Sequence, residues 1–125
     1  MGAHSNLKAW QHARTLAVAC ARASRLPPPH EQYALADQLR RAAYSAALNI
    51  AEGSGRDGAR DYRKFLVTAR SSLDEVEAIL EITGELHYLD GPTLAHLEAR
   101  RDEAARTLFG LIRSLDRHLT RRAKE

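Results

Sequence analysis

Three short clusters of helix-breaking residues, Pro27-Pro28-Pro29, Gly53-Ser54-Gly55 and Asp90-Gly91-Pro92, cut this 125-residue chain into four stretches. Proline lacks the amide donor and restricts the residue before it, so three in a row end any helix that reaches them. The glycine-containing clusters punctuate the chain in the same way. Within each stretch the apolar residues recur at steps of three and four, the period of one face of a helix.

The first helix is expected over about 7–26, with Trp10, Ala13, Ala17, Cys20 or Ala21, and Ser24 at helical spacing and Ser5 or Asn6 as its cap. The second, over about 31–53, aligns Leu35, Leu39, Ala42, Ala43, Ala46 and Ile50. The third, over about 59–88, aligns Tyr62, Phe65, Leu66, Ala69, Leu73, Val76, Leu80 and Thr83. Pro92 is well placed to open the fourth, over about 93–120. There Leu94, Leu97, Arg101, Ala104, Leu108, Leu111, Leu115 and His118 alternate by three and four. Ala105, Ile112 and Leu119 widen that seam enough to meet two neighbours.

Short connections favour antiparallel neighbours, so the expected fold is all-α, an antiparallel up-and-down four-helix bundle in one domain over 7–120. Residues 1–6 are expected to be a disordered end and 121–125 a basic tail. The composition agrees: 44% of residues are hydrophobic and 28% charged, while the β-branched and aromatic residues of sheets are sparse.

The second helix has more surface to bury than a bundle covers. Beside its apolar stripe, Gln38, Arg41, Ser45, Asn49 and Glu52 form a polar stripe, expected to be satisfied across a packed seam. Arg41 would pair with Glu75, and Glu52 with Arg56 or Arg70. On the far side Ala36, Tyr44, Ala47, Leu48 and Ala51 make a second apolar surface, broken chiefly by Asp37 and Arg40. That face predicts a subunit interface through Tyr44 and Leu48.

The net charge of +3 is segregated: residues 1–39 carry +2, 40–70 carry +4, 71–99 carry −7 and 100–125 carry +4. Arg56, Arg60, Arg63, Lys64 and Arg70 gather at the start of the third helix, and Arg113, Arg117, Arg121, Arg122 and Lys124 at the end of the fourth. Such groups can neutralise phosphates without reading bases. They also suit an ordinary solvated surface, with cations favoured at a helix C-terminus. Few aromatics accompany them, which argues against a base-stacking platform.

Other chemistries find little support. Gly53 to Gly58 precedes a helix and can hold a phosphate, yet no Lys-Ser/Thr completes a nucleotide loop. The six histidines lack metal-site spacing, and His87 and His96 read as loop and surface residues. Cys20 sits among alanines as a packing group, and no disulfide can form within the chain. No cofactor, metal or catalytic constellation is expected. Without an apolar span or a signal peptide, and with Asn6 where a myristoylation signal wants Ser or Thr, the chain is expected in the cytoplasm and off the membrane.

Gln38-Leu39-Arg40-Arg41-Ala42-Ala43, then Ser45, Asn49-Ile50-Ala51-Glu52-Gly53 and Gly55-Arg56, form a run with a known likeness. It resembles the signature of bacterial four-helix-bundle proteins encoded in intervening sequences of 23S ribosomal RNA genes. Leu7, Trp10, Gln11 and Ala13 resemble the start of that family, and Phe65-Leu66, Ala69, Ser72-Leu73 and Glu75 its third helix. The resemblance spans about Leu7 to Leu115. Ser71 stands where the family usually has glycine, and Ala46-Ala47 where it favours larger or proline-containing pairs.

The resemblance implies a cyclic homo-oligomer, a ring of five bundles, and no established catalysis. Relatives act with a reverse transcriptase in diversity-generating retroelements, which implies nucleic-acid or protein binding. The expected function is therefore a non-enzymatic oligomer holding RNA or DNA through Arg56, Arg60, Arg63, Lys64, Arg113, Arg117, Arg121 and Arg122. The alternative is a protein-interaction scaffold or adaptor without direct nucleic-acid binding, which docks a partner on the acidic stretch from Asp74 to Glu85 or on exposed apolar positions.

Overall fold

The structure, a computed structural model, describes Gly2 and residues 4–124, with residues 31–33 described as backbone. Met1, Ala3 and Glu125, which belong to the two expected disordered or basic ends, lie outside the described residues. Among the described residues there are four helices and no strand.

Helix α1 spans Lys8–Ala23. Neither Ser5 nor Asn6 caps it: Leu7, in extended conformation, is the N-cap and provides no side-chain bond. Ser5 Oγ instead donates to the Gly2 carbonyl at 3.0 Å, within a turn over residues 4–6. Gln11 Nε2 donates to the Ser5 carbonyl at 3.1 Å, and the His4 ring meets Trp10 edge-on at 4.5 Å. The end expected to fray is thus folded onto α1 from His4 onward.

Helix α2 is entered at Pro29–Glu31, widens into a π-helical turn over Gln32–Ala36 and continues as a regular helix over Asp37–Ser54. A π-turn inserts one residue into the helical period, so a three-and-four reading across Leu35 and Leu39 misses it. Just past the π-turn Arg40 donates to Asp37 of its own helix at 3.2 Å and to Oγ of Ser24, the C-cap of α1, at 2.9 Å. Gly53 lies inside the helix rather than in the turn after it; Gly55 is the C-cap.

Helix α3 spans Ala59–Glu85 and α4 spans Gly91–Lys124. Asp90 caps α4, accepting from the Thr93 amide at 2.7 Å, and this bond holds its carboxyl below the usual range. The residues expected as a separate basic tail continue α4 through Lys124, with Arg121, Arg122 and Lys124 in its last turn. Cations there complement the negative end of the helix dipole.

The helices pack around the core in the cyclic order α1, α2, α3, α4, each against two neighbours. Small residues line α1 and α2, with Ala13, Ala17, Ala43 and Ala46 buried around Leu16, Cys20 and Ile50. Larger side chains fill from the other side: Leu66, Leu73, Val76 and Leu80 of α3 with Leu97, Leu108 and Ile112 of α4. Arg101, placed among these leucines by its heptad position, keeps only 12% of its side chain exposed and pairs with Glu77 of α3 at 3.0 Å.

Candidate nucleic-acid interface

Two of the expected phosphate ligands are committed within the bundle. Arg63 of α3 donates from Nε to Asp116 of α4 at 2.5 Å, and that cation holds the Asp116 carboxyl below its usual range. Arg56 pairs with Glu52 at 2.6 Å, approaches Asp61 at 3.8 Å and lays its guanidinium over the Phe65 ring at 4.6 Å. Arg113 likewise lies over Phe109 at 5.6 Å.

Arg60 and Arg122 have a different setting. Together with His118, Leu119 and Asp57 they line one cleft of about 480 Å³ where α3 begins and α4 ends. The two basic clusters, half the chain apart in sequence, converge there. Gly58, the N-cap of α3, is extended and contributes no side-chain bond, so the first turn of α3 begins beside these cations with its dipole positive. Lys64, Arg117 and Arg121 are exposed on the flanks. The sequence reading missed His118 as a cleft residue because it assigned that position to the apolar seam.

The polar stripe of α2 divides. Ser72 of α3 lies 2.9 Å from Ser45, oxygen to oxygen, and 3.2 Å from the Thr68 carbonyl. Asn49 donates to the Ser45 carbonyl at 2.8 Å and to its hydroxyl at 3.1 Å. These three side chains form a satisfied seam between α2 and α3. Gln38, Arg41, Glu52 and Glu75 are exposed instead. Arg41 pairs with Asp37 one turn earlier, at 3.1 Å, and not with Glu75; a neighbour on the same helix is reached at less entropic cost than one across a seam. Glu52 does pair with Arg56.

On the opposite side of α2, Tyr44 and Leu48 stand exposed and, with Trp10 and Val18 of α1, line an apolar groove of about 370 Å³. Cys20 is buried, which pushes its thiol up to about 12 and leaves it protonated at neutral pH. Among the described residues no group of three His, Cys, Asp or Glu side chains is placed to hold a metal ion. Among them, too, no helix is long and apolar enough to cross a membrane.

A family model described as 23S rRNA-intervening sequence protein matches residues 5–110. The chain belongs to that family. Its match takes in the polar seam, the apolar groove and the α3 side of the basic cleft, and stops short of His118 and Arg122. A crystal structure of a protein with unknown function from the S23 ribosomal protein family of Bacteroides thetaiotaomicron is similar in fold, with a TM-score of 0.77 at 19% identity. That likeness covers 83% of this chain and 97% of the other. No curated protein matches this intervening-sequence protein.

Proposed function

We propose that the protein is a non-enzymatic, cytoplasmic homo-oligomer of antiparallel up-and-down bundles that holds RNA or DNA by the phosphate backbone. The observation that carries this reading is the convergence of Arg60, His118 and Arg122 on one cleft at the N-terminal end of α3. An open helix N-terminus flanked by cations suits a phosphate, and repetition of the cleft around a ring of five would multiply weak contacts. The antiparallel arrangement is supported by residue pairing: from Arg63–Asp116 to Glu77–Arg101, positions rise along α3 as they fall along α4. The oligomer is supported by the exposed Tyr44 and Leu48.

Binding of labelled RNA and DNA, single-stranded and duplex, across a salt series tests the proposal. Arg60→Glu/Arg122→Glu should weaken binding to all sequences alike and flatten the slope of log affinity against log salt by about 1–2, the loss of one or two phosphate contacts. Salt-insensitive binding, or an unchanged double variant, would overturn it. The alternative, a scaffold for a partner such as a reverse transcriptase, then becomes the better account, with its acidic surface on α3 as the docking face.

A further inference from the structure

We infer that the apolar groove between α1 and α2 is occupied by the acidic edge of a second copy of this chain, formed by the end of α3 and the start of α4. This inference rests on the homo-oligomer proposed above and names the two faces that meet in it.

The groove is built from two rows. Trp10, Arg14, Val18 and Arg22 follow one another at intervals of four along α1, so they form one ridge inclined to the helix axis. Tyr44 and Leu48 make the facing row on α2. The result is an apolar trough with two guanidinia, two turns apart and separated by Val18, on one wall. Arg14 and Arg22 form no ion pair among the described residues, so both are open to a carboxylate from another molecule.

A complementary edge lies on the other side of the bundle. Ile82 and Leu86 are exposed there, one turn apart, beside Leu94 of α4. Glu81, Glu85 and Glu98 flank them, and none forms an ion pair among the described residues. They belong to the stretch from 71 to 99, which contains seven acidic residues and no Lys or Arg. Ile82 and Leu86 inserted between Val18 and the Tyr44–Leu48 row would bring Glu81 and Glu85 to Arg14 and Arg22. Apolar burial and the pairing of otherwise unpartnered charges then act at the same place.

The topology decides which copy-to-copy contact is available. Because the helices pack in the order α1, α2, α3, α4, the α1–α2 groove and the α3–α4 edge are on opposite faces. Groove against groove would set arginines against arginines, and edge against edge glutamates against glutamates. Only groove against edge is complementary, and this unlike pairing is the kind a ring of more than two subunits requires.

Charge reversal read by light scattering tests the pairing, with circular dichroism confirming that each variant is folded. Arg14→Glu/Arg22→Glu and Glu81→Arg/Glu85→Arg should each fall to the mass of one chain. Mixing the two variants should restore association, because each then offers the other a matched face. Reversed variants that keep the wild-type mass, or a mixture that stays monomeric, would overturn the pairing while leaving the oligomer intact. A wild-type chain that is itself monomeric at tens of micromolar would instead overturn the oligomer, and the pairing with it.

Discussion

Arg63 and Asp116 join the opening of α3 to the closing turns of α4 through a 2.5 Å hydrogen bond beside the basic cleft. Both side chains remain more than one-third exposed, so solvent screens the pair, and its role is to hold the two helix ends in register at the cleft. The Asp116 carboxyl is lowered in the folded protein by the Arg63 hydrogen bond. Its contribution to stability is therefore present above the unfolded carboxylate value and is lost as pH falls through the folded one. Asp116→Asn should melt below the wild type at neutral pH and low salt. The gap should close in acid and shrink in high salt, and thermal melts across a pH and salt grid check both trends.

Two glycine substitutions should have opposite signs. A Cβ on Gly53 would stand 2.8 Å from the Phe65 Cβ and 3.0 Å from Tyr62 Cδ1, so α2 and α3 would have to move apart. Overpacking of this kind costs about 1–3 kcal/mol, more than the helix propensity that alanine adds. Gly110, exposed within α4, meets nothing within 4 Å. Gly110→Ala should stabilise by about 0.5–1 kcal/mol. Urea denaturation should show the midpoint falling for Gly53→Ala and rising for Gly110→Ala.

The end of α3 stores a small strain. His87 has φ 55°, the left-handed region, and its amide bonds to the Gly84 carbonyl while the Tyr88 amide bonds to that of Thr83. This pair of bonds closes the helix in a Schellman turn, whose left-handed position normally belongs to glycine. His87→Gly should stabilise by about 0.5–1 kcal/mol, the relief of strain exceeding glycine's greater chain entropy, as a shift in the denaturation midpoint would show.

These positions also mark how far the sequence could be read. The stripe of Leu97, Ala104, Leu108 and Ile112 was legible because burial of a helix face imposes a period that survives in the residues themselves. The π-turn at Gln32–Ala36 and the left-handed His87 were not, since neither carries a glycine or another marker of its backbone geometry. Gly53 read as a helix stop because glycine has two uses, a turn and a close approach, and only the neighbouring Phe65 tells them apart. The two basic clusters were visible, but their meeting at Arg60 and Arg122 depends on helix order and register. Asp37, four residues before Arg41, was the nearer signal that the expected Glu75 pairing overlooked.

Cys20 links protonation to the core. Burial raises its thiol from 9.0 to about 12, so the folded state retains a proton that the unfolded state gives up at lower pH. For a group raised on folding, the stabilising contribution is complete below the unfolded value and is lost as pH rises from there through the folded one. Between about pH 9 and 12 this thiol alone should lower stability by up to about 1.4 kcal/mol per pH unit. Tyrosines and lysines titrate over the same window, so the quantity to measure is the difference between wild type and Cys20→Ala. That difference should be constant below pH 8 and shift in favour of the alanine variant above pH 9, because alanine has no proton to lose. In the folded wild type the same burial should restrict labelling by a thiol reagent to opened molecules. At neutral pH the labelling rate should therefore rise in Gly53→Ala and fall in Gly110→Ala, following the stability changes argued for each. A labelling rate indifferent to both substitutions would mean that Cys20 is reached through local motion of α1 rather than through opening of the bundle.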